Sequence, residues 1–245
     1  MVTSLNSLTV RLNAEWGPED PEVETVWVLL KNIAKRLPDE TVEDEADFRI
    51  DRIYEKLVEA RNHYIVIRGK EFSGKTVSEQ DAIYNSLYTA LWSAYKDRLP
   101  AFGKSIGYDL SCIFAGEKQF ESQLNSFVTR YPELESFRSV ILNQRQNWQN
   151  NLRDNRNVQT HDGDQRNQRE IVDLNTPSQA KQYFALVCRA IESISVAILS
   201  YKIPESWNIV PVNEGATVFD RVHRYELRHA IQGIDPSPLF DNPYH

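Results

Sequence analysis

Arg156, Asn157 and His161 stand together in the hexapeptide Arg-Asn-Val-Gln-Thr-His, inside a polar run from Asn147 to Glu170 dominated by amides and arginines. A guanidinium stays cationic and presents a planar fork that matches phosphate oxygens. An imidazole titrates near neutrality, so His161 can take or give a proton. Asn157 adds a neutral donor able to hold a phosphate oxygen or to orient the imidazole. Such a set can be aimed at one phosphate; the competing reading is solvated residues at the end of a helix. Arg153, Arg166 and Arg169 lie in the same run and are candidate contacts to a substrate backbone.

The elements that must position these groups read as helices nearly throughout. Val23, Val26, Trp27, Leu30, Ile33 and Leu37 recur at helical intervals until Pro38. After Asp39, the residues Phe48, Ile50, Ile53, Tyr54, Leu57, Val58 and Tyr64 predict a second helix, and Ile83, Leu87, Leu91 and Tyr95 a third. Ser105 to Arg130 carries a weaker pattern of one or two short helices. Pro132 opens a long helix through Leu134, Phe137, Val140, Ile141 and Trp148, and the hexapeptide sits at its end. A polar loop from Asp162 to Asn175 follows, then Thr176 and Pro177 as the N-cap and first position of a central apolar helix reaching Ile203. Beyond Pro204, either a hairpin around Glu214 and Gly215 or a loop leading into a helix to Ala230 satisfies the pattern. Residues 232–245 read as an irregular tail. The expected architecture is one all-α domain: an N-terminal tail over 1–20, a helical core over 21–203 and a C-terminal extension over 204–245.

Charge limits what the chain can bind. A formal net charge of −7 argues against indiscriminate attachment to nucleic acid, where affinity comes largely from basic residues that release counterions. The charge is uneven: residues 1–60 hold 14 carboxylates against 7 lysines and arginines, whereas residues 138–170 hold 6 arginines against 4 acids. Positive potential is therefore local, and it surrounds the hexapeptide. Cys112 and Cys188, the 2 cysteines, sit in apolar helical patterns and read as packing residues. With no run of 18 apolar residues and no secretory pattern at the start, a soluble cytoplasmic protein without membrane partners is the expectation.

A rival motif lies at Gly69 to Thr76. Gly-Lys-Glu-Phe-Ser-Gly-Lys-Thr matches the phosphate-binding P-loop pattern, with Gly69, Gly74, Lys75 and Thr76 as the nucleotide-binding candidates. That loop needs a buried parallel strand before it and a helix after it. Residues 64–67 would have to be the strand, yet they continue the helical stripe that begins at Phe48, so two helices joined by a glycine-bearing turn is the simpler expectation.

In this helical setting, Arg156 followed by Asn157, three residues and His161 resembles the signature of the HEPN superfamily. A bare Arg-His pair at this spacing means little, since 18 arginines and 5 histidines give about 0.4 by chance, and Arg224 with His229 is a second case. The asparagine after the arginine distinguishes Arg156, because Tyr225 follows Arg224; the second pair reads as a solvated helix face. The resemblance implies an antiparallel helical bundle, often dimeric, and in many members a metal-independent endoribonuclease acting as a toxin or anti-phage effector, with an antitoxin or regulatory partner. His161 would then move protons at the ribose 2′-OH or the leaving 5′-oxygen, Arg156 would hold the phosphate, and the products would be a 2′,3′-cyclic phosphate and a 5′-hydroxyl. No cofactor is expected, and no metal, although His161, Asp162 and Asp164 form an alternative oxygen-nitrogen set. Where many toxin members carry a tyrosine, this chain has Gly163. A non-catalytic RNA- or protein-binding module and a nucleotide-binding protein built on Lys75 are the other function classes.

Spacing adds a condition. Five residues of ideal helix turn about 500°, which leaves Arg156 and His161 about 140° apart. Either the helix loosens before His161, for which Asp162, Gly163 and Asp164 are suited, or two motifs face each other across a dimer and form one composite cleft, as the resemblance implies.

Overall fold

The computed structural model describes residues 23–135, 137–160, 175–211 and 225–229. Helix α1 (Val23–Ala34) leads to α2 (Glu40–Arg68), which starts where Asp39 accepts from the Thr41 and Val42 amides and ends at Gly69. Helix α3 (Val77–Trp92) passes through a π turn (Ser93–Arg98) into the short α4 (Leu99–Ser105). A 3₁₀ turn (Leu110–Phe114) precedes α5 (Glu117–Arg130). Helix α6 (Phe137–Gln144) then runs through a second π turn (Arg145–Gln149) into α7 (Asn150–Thr160). The apolar α8 (Pro177–Ser200) follows, capped by Thr176 as its composition predicts: the hydroxyl accepts from the Gln179 amide and Pro177 takes the first turn. The all-α class expected from periodicity is what the described residues adopt.

Helices α1, α2, α3 and α8 enclose the core, which also takes residues from α4, α5, α6 and α7. Fully buried Leu30, Ile50, Leu57, Leu87, Tyr88 and Phe184 lie at its centre. Helix α8 is long and apolar enough to cross a membrane, yet 72% of that window is buried inside the protein, which makes it the central core helix. Two stripe residues depart from expectation: Phe48 is 45% exposed and Val140 37%. Phe48 instead carries the guanidinium groups of Arg49 and Arg52 near its ring, at 5.4 and 4.9 Å.

The C-terminal region corrects two expectations. Trp207–Pro211 (β1) and Tyr225–His229 (β2) pair antiparallel, with Trp207 opposite His229 and Pro211 opposite Tyr225. The second strand occupies the segment offered as a helix to Ala230, and this register places residues 212–224 between the strands, which is too long for a tight hairpin around Glu214 and Gly215. The Arg224–His229 pair is therefore not a helix face, because His229 ends a strand. Five-residue windows such as Tyr-Glu-Leu-Arg-His fit either period, and pairing with β1 decides between them. The guanidinium of Arg36 lies 4.6 Å from the Trp207 ring centre, tying β1 to the end of α1.

Candidate functional site

Arg153, Arg156 and Asn157 all lie on α7, which is helical through Thr160. Leu152, fully buried, fixes the helix against the core, and α7 packs on α3. Arg153 and Arg156 are three residues apart and so share a face; both are half-buried. Arg153 Nε contacts Asp154 Oδ1 at 3.0 Å in an exposed pair that contributes little to stability. His161, Arg166, Arg169, Asp162 and Asp164 lie outside the described residues, as does the Asp162 to Asn175 loop apart from Asn175 itself.

The backbone of α7 is described as far as Thr160. Loosening of the helix before His161 is not seen between Arg156 and Thr160, because α7 keeps its α-helical turn through that stretch. Four residues at the helical 100° each already carry the chain about 400° past Arg156 by Thr160.

Not every arginine of the basic stretch is available to a ligand. Arg145 is buried: its Nη1 donates to the Ala115 carbonyl at 2.9 Å and its guanidinium lies 4.2 Å from the Phe120 ring centre. Burial, and then the nearby positive charge of Arg153, push the Arg145 pKa down. Gln149, four positions further along the same π turn, donates to the Ile113 carbonyl at 2.9 Å. The two side chains thus clamp the 3₁₀ turn to the long helix. Nothing in the sequence separates these structural groups from the neighbouring arginines and amides. Arg153 is the more exposed member of that pair of like charges, and it sits beside the motif.

The rival loop is a connector between helices. Residues 64–67 belong to α2, Gly69 caps that helix, and Phe72–Gly74 form a 3₁₀ turn. Its backbone amides have internal acceptors: Phe72 donates to Gly69 O, Gly74 to Glu71 O and Lys75 to Phe72 O. Thr76 is the N-cap of α3, its hydroxyl accepting from the Glu79 amide while Glu79 Oε2 accepts from the Thr76 amide at 2.8 Å. Gln80 Nε2 closes the loop from within on the carbonyls of Phe72 and Lys75. Amides committed in this way do not form a phosphate cradle, and the strands among the described residues are the antiparallel β1 and β2.

Among the described residues, no group of three His, Cys, Asp or Glu side chains is placed to hold a metal ion. Cys112 is buried, and burial followed by the charge of Asp109 pushes its thiol up to about 12, far from a reactive thiolate at neutral pH. No family model matches the chain, and neither a curated protein nor a solved structure does.

Proposed function

We propose that this protein is a metal-independent endoribonuclease of the HEPN type, a toxin or phage-defence effector that works on RNA as a homodimer. The observation that carries the reading is the placement of Arg153 and Arg156 on one face of α7, with Asn157 next to them and Arg153 close enough to be felt by Arg145. Guanidinium charge concentrated at one helix end attracts a phosphodiester, and a planar fork holds two of its oxygens. His161 transfers the proton that the 2′-oxygen loses or the 5′-oxygen gains, and Arg156 stabilises the charge that builds on the phosphorus oxygens. In a homodimer two such motifs face each other with one composite cleft between them, as the resemblance implies.

Purified protein incubated with mixed RNA in EDTA tests this directly. Cleavage that survives EDTA and leaves 2′,3′-cyclic phosphate and 5′-hydroxyl ends is expected. Cleavage that requires magnesium or manganese would overturn the mechanism, and RNA binding without cleavage would leave a binding module.

A further inference from the structure

We infer that the groove between α6 and α8 is a subsite for one unstacked nucleobase. The groove encloses about 440 Å³, within the range of small-molecule sites. Val140, Leu186 and Trp148 give it apolar walls, and Gln144, Asn143 and Ser193 bring polar groups to it. The choice of a nucleobase over another planar heterocycle rests on the RNA reading above.

Gln144 is the observation that points to a ligand. Its side chain is only 8% exposed, and its Oε1 accepts the Tyr95 hydroxyl at 2.6 Å. That bond leaves Nε2 without a hydrogen-bond partner among the described residues, while the side chain lines the groove. A donor at the groove surface, on a side chain held in one orientation from behind by the Tyr95 bond, is suited to a carbonyl or ring-nitrogen acceptor on a planar ligand. Tyr95 is itself fully buried and packs its ring 5.2 Å from that of Trp148, so the support is rigid.

Helical spacing explains why these residues converge. Residues four apart lie close to one face, in this π turn as in an α-helix. Gln144 and Trp148 accordingly share the groove side, while Arg145 and Gln149 share the other side, where they bind the Ala115 and Ile113 carbonyls. Arg189 also lines the groove, and its charge is moderated by Glu192 at 3.0 Å. Among the described residues no carboxylate lines the groove, so its polar lining suits a neutral ring carrying acceptors.

Binding is measured by calorimetry with the four ribonucleoside 5′-monophosphates and with a short single-stranded RNA. The protein is the full chain carrying His161→Ala, so that turnover cannot distort the titration. Saturable binding of at least one mononucleotide or of the RNA is expected. It should weaken at least tenfold in Ser193→Trp, which fills the groove from its rim. Gln144→Glu, which keeps an acceptor for Tyr95 but removes the amide donor, should weaken it similarly. RNA binding much tighter than mononucleotide binding identifies a strand as the source of the base; equal affinities identify free nucleotides. Absence of saturable binding, or wild-type affinity in both folded groove variants, overturns the subsite. Because the readout is affinity, a chain that binds here without cleaving RNA sinks only the nuclease reading, and cleavage with an unresponsive groove sinks only the subsite.

Discussion

The Tyr95 hydroxyl donates to Gln144 Oε1 at 2.6 Å, and this bond joins the π turn that follows α3 to the helix end from which the second π turn departs. The two residues are 49 positions apart in the chain. Tyr95 has no exposure at all, so its hydroxyl has no water as a substitute partner, while Gln144 is 8% exposed where it lines the groove. Burial raises the Tyr95 pKa far above its ordinary value, which keeps the phenol protonated as a donor.

Tyr95→Phe removes the donor and leaves the Gln144 oxygen buried without it. A loss of about 1–3 kcal/mol is expected, the usual penalty for an unsatisfied buried polar atom. For a domain of this size that corresponds to a fall in Tm of roughly 2–4 °C per kcal/mol, readable by thermal unfolding. An unchanged Tm would mean that the bond contributes nothing in solution.

The Gly69 to Thr76 connector separates a cap from a nucleotide site by two neighbouring substitutions. Thr76→Ala deletes the N-cap of α3 and should cost about 1 kcal/mol in urea unfolding. Lys75→Ala should leave both stability and ATP affinity as in the wild type. A micromolar ATP affinity that disappears with Lys75 would contradict the committed amides of this loop.

Stability should be lost in acid through the Lys31 cluster. Lys31 Nζ lies 2.6 Å from Asp47 and 2.9 Å from Asp51, and the Trp27 indole donates to Asp51 at 2.9 Å. Burial works to raise the Asp51 pKa, but the bonds from Trp27 and Lys31 outweigh it and hold the carboxyl below its ordinary value. A depressed folded-state pKa gives stability that is present above the unfolded value of about 3.9 and is lost as pH falls through the folded value. For Lys31, burial works downward and the two carboxylates outweigh it, so the folded pKa is raised. Its contribution is present below about 10.4 and disappears as pH rises through the folded value. Melting curves from pH 7 down to pH 2 should show a declining limb that Asp51→Asn makes shallower. Identical acid limbs in the two proteins would rule the cluster out as a cause.

Catalysis and binding separate at the motif. His161→Ala should reduce single-turnover cleavage by about 10²–10⁴-fold with little change in RNA affinity, because proton transfer is lost while the arginines remain. Arg156→Ala should damage both, since the cation serves the bound state and the transition state alike. His229→Ala, at the end of β2, should change neither. Equal cleavage by wild type and His161→Ala would leave only the binding module.

What the sequence determined by itself is the helical class, the helix starts after Asp39 and Thr176, and the nature of the Gly69 to Thr76 turn; the helix expected to open at Pro132 instead begins at Phe137, with Pro132–Leu134 in a 3₁₀ turn. These follow from local physics: periodic apolar residues in α2 and α3, and side-chain caps at Asp39, Thr76 and Thr176 that satisfy amides a few positions away. Arg153, Arg156 and Asn157 were likewise legible as neighbours, because one helix carries them. Tertiary structure alone decided the rest. Arg145 reads like its neighbours until Ala115 and Phe120 are placed against it, and the Tyr225–His229 segment becomes a strand only because β1 offers a partner edge. Gln144 is one amide among many in the sequence, and Tyr95, on a helix 49 positions earlier, supplies the contact that orients it. A short-range pattern can specify a turn of helix or a cap; which buried polar group faces which partner depends on contacts between elements, and no local spacing encodes them.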